Sequence, residues 1–245
     1  MPAEDLGPAE DLGPADEVGP AGLPLGEYAL LDVDRRRRTG VPEAVFGEGK
    51  TAAQIFALLA ELRAHDPAAP ALATRCGPAV LDAAAARFPG DEVRVDDVAG
   101  TVTVGPLPPA RGRVLILTAG TTDLRVAREC AATLAVLGAG AAVLADVGVA
   151  GIGRLLARLG ELRSADCVVV AAGMDGALPS VVAGLVSAPV IGLPTSVGYG
   201  VAAGGLAAAA TMLASCSPGL AVVNIDNGFG AAVHAAKIIR VGARD

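Results

Sequence analysis

The chain has 245 residues, a formal net charge of −7 and 53% hydrophobic residues, yet only 2% aromatic residues and no tryptophan. That length holds one large domain, or a small domain joined to a medium one, and an acidic chain with a pI near 4.9 and no basic face excludes nucleic acid as a partner. Mean hydropathy of +0.54 raises the question of a membrane, but the charge-free stretch Gly176–Ile225 is cut by Pro179, Pro189, Pro194 and Pro218, short of the roughly 20 apolar residues a span needs.

A membrane span is therefore rejected, and the apolar surplus is expected in packed layers or between subunits. Cys76, Cys130, Cys167 and Cys216 stand far apart without a CxxC pair, and no signal peptide is read at the start. Free thiols in a reducing cytoplasm follow.

In chain order, residues 1–26 repeat a six-residue unit: PAEDLG twice, then PADEVG and the degenerate PAGLPLG. Recurrent proline blocks a helix and recurrent acid keeps the unit solvated, so a disordered tail is predicted. Residues 27–105 read as a small α/β domain. Its elements are a short helix over Tyr28–Arg38, turn chemistry across Val41–Lys50, a helix at Ala52–Ala64, a strand at Ala71–Thr74, a helix at Pro78–Arg87 and a hairpin of Glu92–Asp96 with Thr101–Val104. Pro106–Gly112 is a linker signal.

From residue 113 the pattern becomes regular. Short apolar runs at Val114–Leu117, Ala141–Ala145, Cys167–Ala171, Pro189–Leu193 and Ala221–Ile225 alternate with helical stretches near 123–137, 151–164, 177–187, 200–214 and 229–240. Continuous apolar strands between helices mean a parallel sheet covered on both faces. The expected fold class is α/β, a doubly wound parallel sheet of Rossmann or flavodoxin type, preceded by the small α/β domain.

Four strand-to-helix junctions concentrate small polar residues: TAGTTD (Thr118–Asp123), AAGMDGALPS (Ala171–Ser180), PTSVGYG (Pro194–Gly200) and NIDNGFG (Asn224–Gly230). In a parallel sheet all such junctions lie at the carboxyl edge, where ligands bind. Any one of them reads as ordinary helix capping. Four together point to a phosphorylated ligand held by backbone N–H groups and hydroxyls. Cys216, in ASCSPG, lies in a polar turn, unlike Cys130 and Cys167 in apolar runs, and is the candidate nucleophile. Asp123, Asp175 and Asp226 are candidates for acid–base work or cation binding. Asp175 opens the charge-free stretch, so it is expected to be a lone carboxylate raised in pKa by an apolar pocket, the alternative being a cap on the helix near Ala177. His65 and His234 are isolated, and no zinc-ligand spacing occurs. The run Arg35–Arg38 reads as a solvated face, or as a phosphate or carboxylate clamp.

These residues together resemble the LarB proteins, which make the first intermediate of the nickel-pincer nucleotide cofactor. Their C-terminal domain is similar to the PurE-type aminoimidazole ribonucleotide carboxylases. The matching stretches are DVDRRRRTGVPEAVFGEGKT (Asp32–Thr51), AGTTDL, DVGVAG, AAGMDGALPSVVAGLV, PTSVGYG, SCSPG and VVNIDNGFGAA. The resemblance implies a PurE-like catalytic domain over 113–245 and a homo-octamer. It implies a carboxylase and hydrolase that takes nicotinic acid adenine dinucleotide and CO2 or bicarbonate, carboxylates carbon 5 of the pyridinium, and cleaves the phosphoanhydride to release AMP. The family's reactive cysteine falls on Cys216 and a family glutamate on Asp175. Thr121, Thr122, Ser196 and Gly198 are candidate phosphate contacts, and Asp123, Tyr199, Asn224, Asp226 and Asn227 further substrate contacts. Lys50, Arg35 and Arg38 are expected to close over the ligand. Mg2+ would neutralise the phosphates; neither biotin nor ATP is expected. Two departures stand out: Asp175 is one methylene shorter than the glutamate, and Gly153 precedes Arg154 where a histidine is expected. The competing readings are a PurE-type carboxylase or mutase, and a nucleotide-binding protein without turnover.

Overall fold

The computed structural model describes residues 22–25 and 29–242, and the backbone divides into two compact units, Met1–Glu43 and Ala44–Asp245. In the first unit, β1 (Leu23–Leu25) pairs antiparallel with β2 (Ala29–Leu31), Leu23 opposite Leu31. This corrects two expectations. The last, acid-free repeat contributes a strand, because Pro24 and Leu25 carry no charge that must stay solvated, whereas residues 1–21 and 26–28 lie outside the described residues. The predicted helix starts only at Arg35, because Ala29–Leu31 is taken up by β2; α1 covers Arg35–Thr39 and ends on Gly40 at φ 74°. There the arginine run is held by acids. Arg35 meets Asp32 and Glu43 at 3.2 Å each, Arg37 meets Asp34 at 2.7 Å and Arg38 meets Asp32 at 2.5 Å. The bond from Arg38 holds the Asp32 carboxyl below its ordinary range, and the bond from Arg37 does so for Asp34.

The second unit opens with a four-stranded sheet in the order β3-β4-β6-β5. β3 (Ala44–Phe46) runs parallel to β4 (Ala71–Thr74), and β5 (Val93–Asp96) and β6 (Thr101–Val104) form the expected antiparallel hairpin. Two helices cross over it. α2 (Ala52–His65) begins with a capping box in which Thr51 and Gln54 satisfy each other's backbone N–H. α3 (Pro78–Arg87) starts with proline in its first turn. β3 falls inside the stretch read as turns: three residues between Pro42 and Gly47 carry too little pattern to show a strand whose partner is 28 residues away (Ala44↔Leu72 is the first pair).

A second sheet follows, built of β7 (Arg111–Thr118), β8 (Ala139–Leu144), β9 (Cys167–Ala172), β10 (Val190–Pro194) and β11 (Leu220–Val222). Its order is β11-β10-β9-β7-β8 and every pairing is parallel. The connecting helices are α4 (Leu124–Val136), α5 (Ile152–Leu156), α6 (Leu159–Arg163), α7 (Leu178–Ala183), α8 (Leu206–Leu213) and α9 (Gly228–Gly242). Side chains alternate across the strands. Leu115, Leu117, Val168 and Val170 pack with Leu155, Leu162, Leu178, Val182 and Met212, while Val114, Ile116 and Val169 are buried outside that cluster, and α4 and α9 pack on each other and on the sheet. The sheet is thus doubly wound, as expected. α9 can approach α4 because Gly228 is there: a Cβ would lie 2.4 Å from the Val126 carbonyl oxygen. The helix expected from residue 200 forms only at Leu206, after a 3-10 turn in which Gly204 and Gly205 take φ of 75° and 82°. Among the described residues no helix is long and apolar enough to cross a membrane.

Candidate active site

In this strand order the chain leaves β7 toward β8 on one side and resumes at β9 on the other. The two crossovers diverge above the carboxyl ends of β7 and β9, which opens a crevice there. A cavity of about 730 Å³ occupies that position. Its wall comes from the junctions after β7 (Ala119–Asp123), β8 (Gly148–Ala150), β9 (Gly173–Leu178) and β10 (Val197–Ala202), and from α8 through Ala207 and Thr211. Gly173 permits the closest approach on this wall, since a Cβ would stand 2.1 Å from the Val197 carbonyl oxygen. Met174, next to it, is held at φ 52°.

Asp123 is the anchor. It is 3% exposed; the Thr195 hydroxyl donates to its Oδ1 at 2.7 Å and the Gly120 N–H to its Oδ2 at 2.8 Å. Burial pushes its carboxyl above the ordinary range, against the pull of those two bonds. Asp226, at φ 55°, ties neighbouring junctions together: its Oδ1 accepts the Ser196 N–H at 3.0 Å, its own N–H donates to the Pro194 carbonyl at 2.9 Å, and Arg125 stands 3.6 Å from Oδ2.

Of the residues singled out from sequence, Thr122, Asp123, Asp175 and Tyr199 line the cavity. Thr121, Ser196, Gly198 and Asp226 belong to the same carboxyl-edge junctions without lining it. Asn224 and Asn227 turn inward to the backbone, accepting from Ile225 N–H at 2.9 Å and Gly230 N–H at 2.7 Å, the second a cap on α9. Asp175 is exposed, and its Oδ1 accepts the Ala177 N–H at 3.3 Å. The single chain therefore gives it the capping contact and leaves it in solvent, contrary to the apolar setting expected. Lys50 is exposed and donates to the Phe46 carbonyl at 2.9 Å, and Arg35 and Arg38 are engaged by the acids of the first unit.

Cys216 is exposed, unlike the three other cysteines, and does not line the cavity. Its turn precedes β11, hence at the amino end of that strand. Ser217 Oγ donates to the Ser180 carbonyl at 2.9 Å, and the Ser180 and Ser215 hydroxyls pair at 2.8 Å. Three residues escaped the sequence reading: Thr195, Arg75 and Glu129. Glu129 left a trace, being an acid on the otherwise apolar stripe Val126, Ala127, Cys130, Thr133 of α4. No group of three or more His, Cys, Asp or Glu that would hold a metal occurs among the described residues.

Comparison with known proteins adds to this geometry. Residues 24–106 match the family model of the LarB/PurE-like N-terminal domain, and residues 113–245 that of AIR carboxylase. An uncharacterized protein of Methanocaldococcus jannaschii is 42% identical over 219 residues, 86% of this chain and 84% of that one. Among solved structures, a Treponema denticola PurE2 variant is 26% identical, with 54% of this chain and 81% of that one covered and a TM-score of 0.45. Treponema denticola PurE is 24% identical, with 54% and 82% covered and the same TM-score.

Proposed function

The chain belongs to the LarB family, through its LarB/PurE-like N-terminal domain and its AIR carboxylase domain, and from that premise we propose that it carboxylates and hydrolyses nicotinic acid adenine dinucleotide. The observation that carries this reading is the charge of the cavity. Asp123 and Asp175 are its charged wall residues, and no arginine, lysine or histidine lines it among the described residues. Such a wall suits a cationic, electron-poor pyridinium ring, and a cation seated beside Asp123 offsets the cost of burying that carboxylate. About 730 Å³ lies within the range of small-molecule sites.

A pyridinium carbon does not attack CO2 unaided. Addition of the Cys216 thiolate at ring carbon 4 turns the ring into a dihydropyridine in which N1, carbon 6 and carbon 5 form an enamine. Carbon 5 then bonds to CO2. Asp175 removes the proton from carbon 5, the thiolate leaves carbon 4 with its bonding pair, and aromaticity returns. Water attack on the phosphoanhydride releases AMP and leaves pyridinium-3,5-biscarboxylic acid mononucleotide.

Within one chain the cavity holds Asp175 but not Cys216. Large apolar side chains stand exposed around its mouth, with Tyr199 at 76%, Val201 at 99% and Leu206 at 73%. A second copy laid over them buries that surface, withdraws Asp175 from water and supplies a thiol, so the working form is proposed to be a homo-oligomer, an octamer as in the family it resembles. Incubating the protein with nicotinic acid adenine dinucleotide, bicarbonate and Mg2+ should yield AMP and the biscarboxylated mononucleotide by mass spectrometry; absence of both refutes the reading. Cys216→Ser and Asp175→Asn should each abolish carboxylation, and mixed assemblies of the two should recover part of it. Mixed assemblies as inactive as their parents would place both groups in one chain. The AIR carboxylase match over residues 113–245 favours a second reading, tested by offering aminoimidazole ribonucleotide in the same assay.

A further inference from the structure

Arg75 lies in the turn between β4 and α3, in the part of the chain that precedes the parallel sheet, yet its side chain ends at that sheet's carboxyl edge. Its backbone is held at φ 53°, an arrangement a long side chain adopts only where its surroundings impose it. The guanidinium sits 5.3 Å over the Phe46 ring and donates to Glu48 at 3.3 Å and to the Asp226 carbonyl at 2.8 Å. On its other side stands Glu129, 4% exposed, 3.9 Å from the Arg75 Nε. Glu129 in turn accepts the Gly228 N–H at 3.2 Å, the first amide of α9. One cation therefore touches both ends of the Asp226–Gly228 turn, directly at Asp226 and through Glu129 at Gly228.

The turn also carries bonds of its own, from Asp226 N–H to the Pro194 carbonyl at 2.9 Å and from Asn227 N–H to the Asn224 carbonyl at 3.2 Å, and Arg75 adds the restraint that comes from ahead of the parallel sheet. Asp226 is itself in the left-handed region, and three carboxylates, Asp123, Glu129 and Asp226, crowd this edge with Arg75 and the exposed Arg125 to balance them. Because Asp226 also fixes the Ser196 N–H, any drift of the turn is passed to the junction after β10, which forms one wall of the cavity.

We infer that Arg75 is a positioning residue for the carboxyl-edge site, holding the Asp226–Gly228 turn and, through it, the Ser196 junction in the arrangement that receives substrate. The N-terminal part of the chain thereby completes a site whose wall it does not enter. As a kinetic claim this rests on the dinucleotide reading above; as a claim about the turn it does not.

The test compares full-length Arg75→Gln, Arg75→Lys, Glu129→Gln and the double variant Arg75→Gln/Glu129→Gln. Arg75→Gln should raise amide hydrogen exchange in peptides covering 194–198 and 224–230, and raise KM for the dinucleotide about tenfold with a smaller change in kcat, as loss of a charged hydrogen bond predicts. Adding Glu129→Gln removes the uncompensated buried charge, so the double variant should regain thermal stability while KM and exchange stay raised. Arg75→Lys, which keeps the charge without the fork, should recover stability fully and KM in part. Restoration of KM and exchange in the double variant would reduce Arg75 to a counter-ion and overturn the inference, as would unchanged exchange and KM in Arg75→Gln. If wild type forms no product, the dinucleotide reading falls, and the exchange comparison alone upholds or overturns the role of Arg75.

Discussion

Replacing Asp123 by alanine removes both acceptors at the centre of the carboxyl edge. The Thr195 hydroxyl, 1% exposed, loses its partner at 2.7 Å. The Gly120 N–H, 2.8 Å from the other oxygen, lies on the cavity wall and can rehydrate. Stranding a buried hydroxyl costs about 1–3 kcal/mol and exchanging an amide partner for water about 0.5–1.5 kcal/mol, so Asp123→Ala should destabilise by roughly 2–4 kcal/mol. Asp123→Asn behaves differently, because Oδ1 can accept from Gly120 while Nδ2 donates to the Thr195 hydroxyl, and it should stay within about 1 kcal/mol of wild type. Asparagine also cannot ionise. Burial raises the folded-state pKa of Asp123 above its unfolded value, so its favourable contribution is complete below an unfolded pKa of about 3.9 and is lost as pH rises through the folded pKa. Relative to wild type, Asp123→Asn should therefore gain stability between acid and neutral pH. Urea denaturation across that range measures it. An alanine variant as stable as wild type, or an asparagine variant whose difference from wild type is independent of pH, would refute the reasoning.

Gly153, the second departure from the family pattern, lies within α5 with nothing within 4 Å of where its Cβ would be. Gly153→Ala should stabilise by about 0.5–1 kcal/mol through helix propensity, read as a raised Tm, and Gly153→His should fold normally; a lowered Tm in either would show a hidden clash. Iodoacetamide at neutral pH should label Cys216 first in wild type, since it is the exposed thiol and burial pushes Cys76 up to about 11 and Cys167 up to about 12. Peptide mass spectrometry showing Cys76 or Cys167 labelled at the same rate would contradict the burial described.

The doubly wound sheet was legible because its strands are short continuous apolar runs such as Cys167–Ala172, which only a sheet covered on both faces can bury. The four polar junctions were legible for a related reason: a parallel sheet places them all on one edge. Where the reading missed, the cause was pairing across sequence distance. Ala29–Leu31 and Ala44–Phe46 are strands through Leu23–Leu25 and Ala71–Thr74, and three residues alone carry no period. The helix read over 151–164 is in fact α5 and α6, separated at Ala157–Arg158; Gly151, Gly153 and Gly160 weaken a stretch whose apolar spacing is otherwise helical.

Local pattern can say that a residue is polar among small neighbours, but not what stands opposite it. Asp123 and Asp175 carry the same group at comparable junctions, yet Thr195, 72 residues from Asp123 in sequence, helps make one a buried anchor, while the other keeps a single local cap and remains in solvent. Glu129 and Arg75 follow the same rule. An acid on an apolar helix stripe demands a cation, and the cation comes from a different sheet, at a distance in sequence that no spacing argument reaches. The carboxyl edge is therefore an assembly of long-range pairs, and its charge balance is set by which partners arrive. Cys216 has no such long-range partner among the described contacts: its turn is fixed to α7 by the Ser180 and Ser215 hydroxyls while the residue itself stays exposed, so its part in the proposed chemistry rests on the assembly and is tested by the mixed variants.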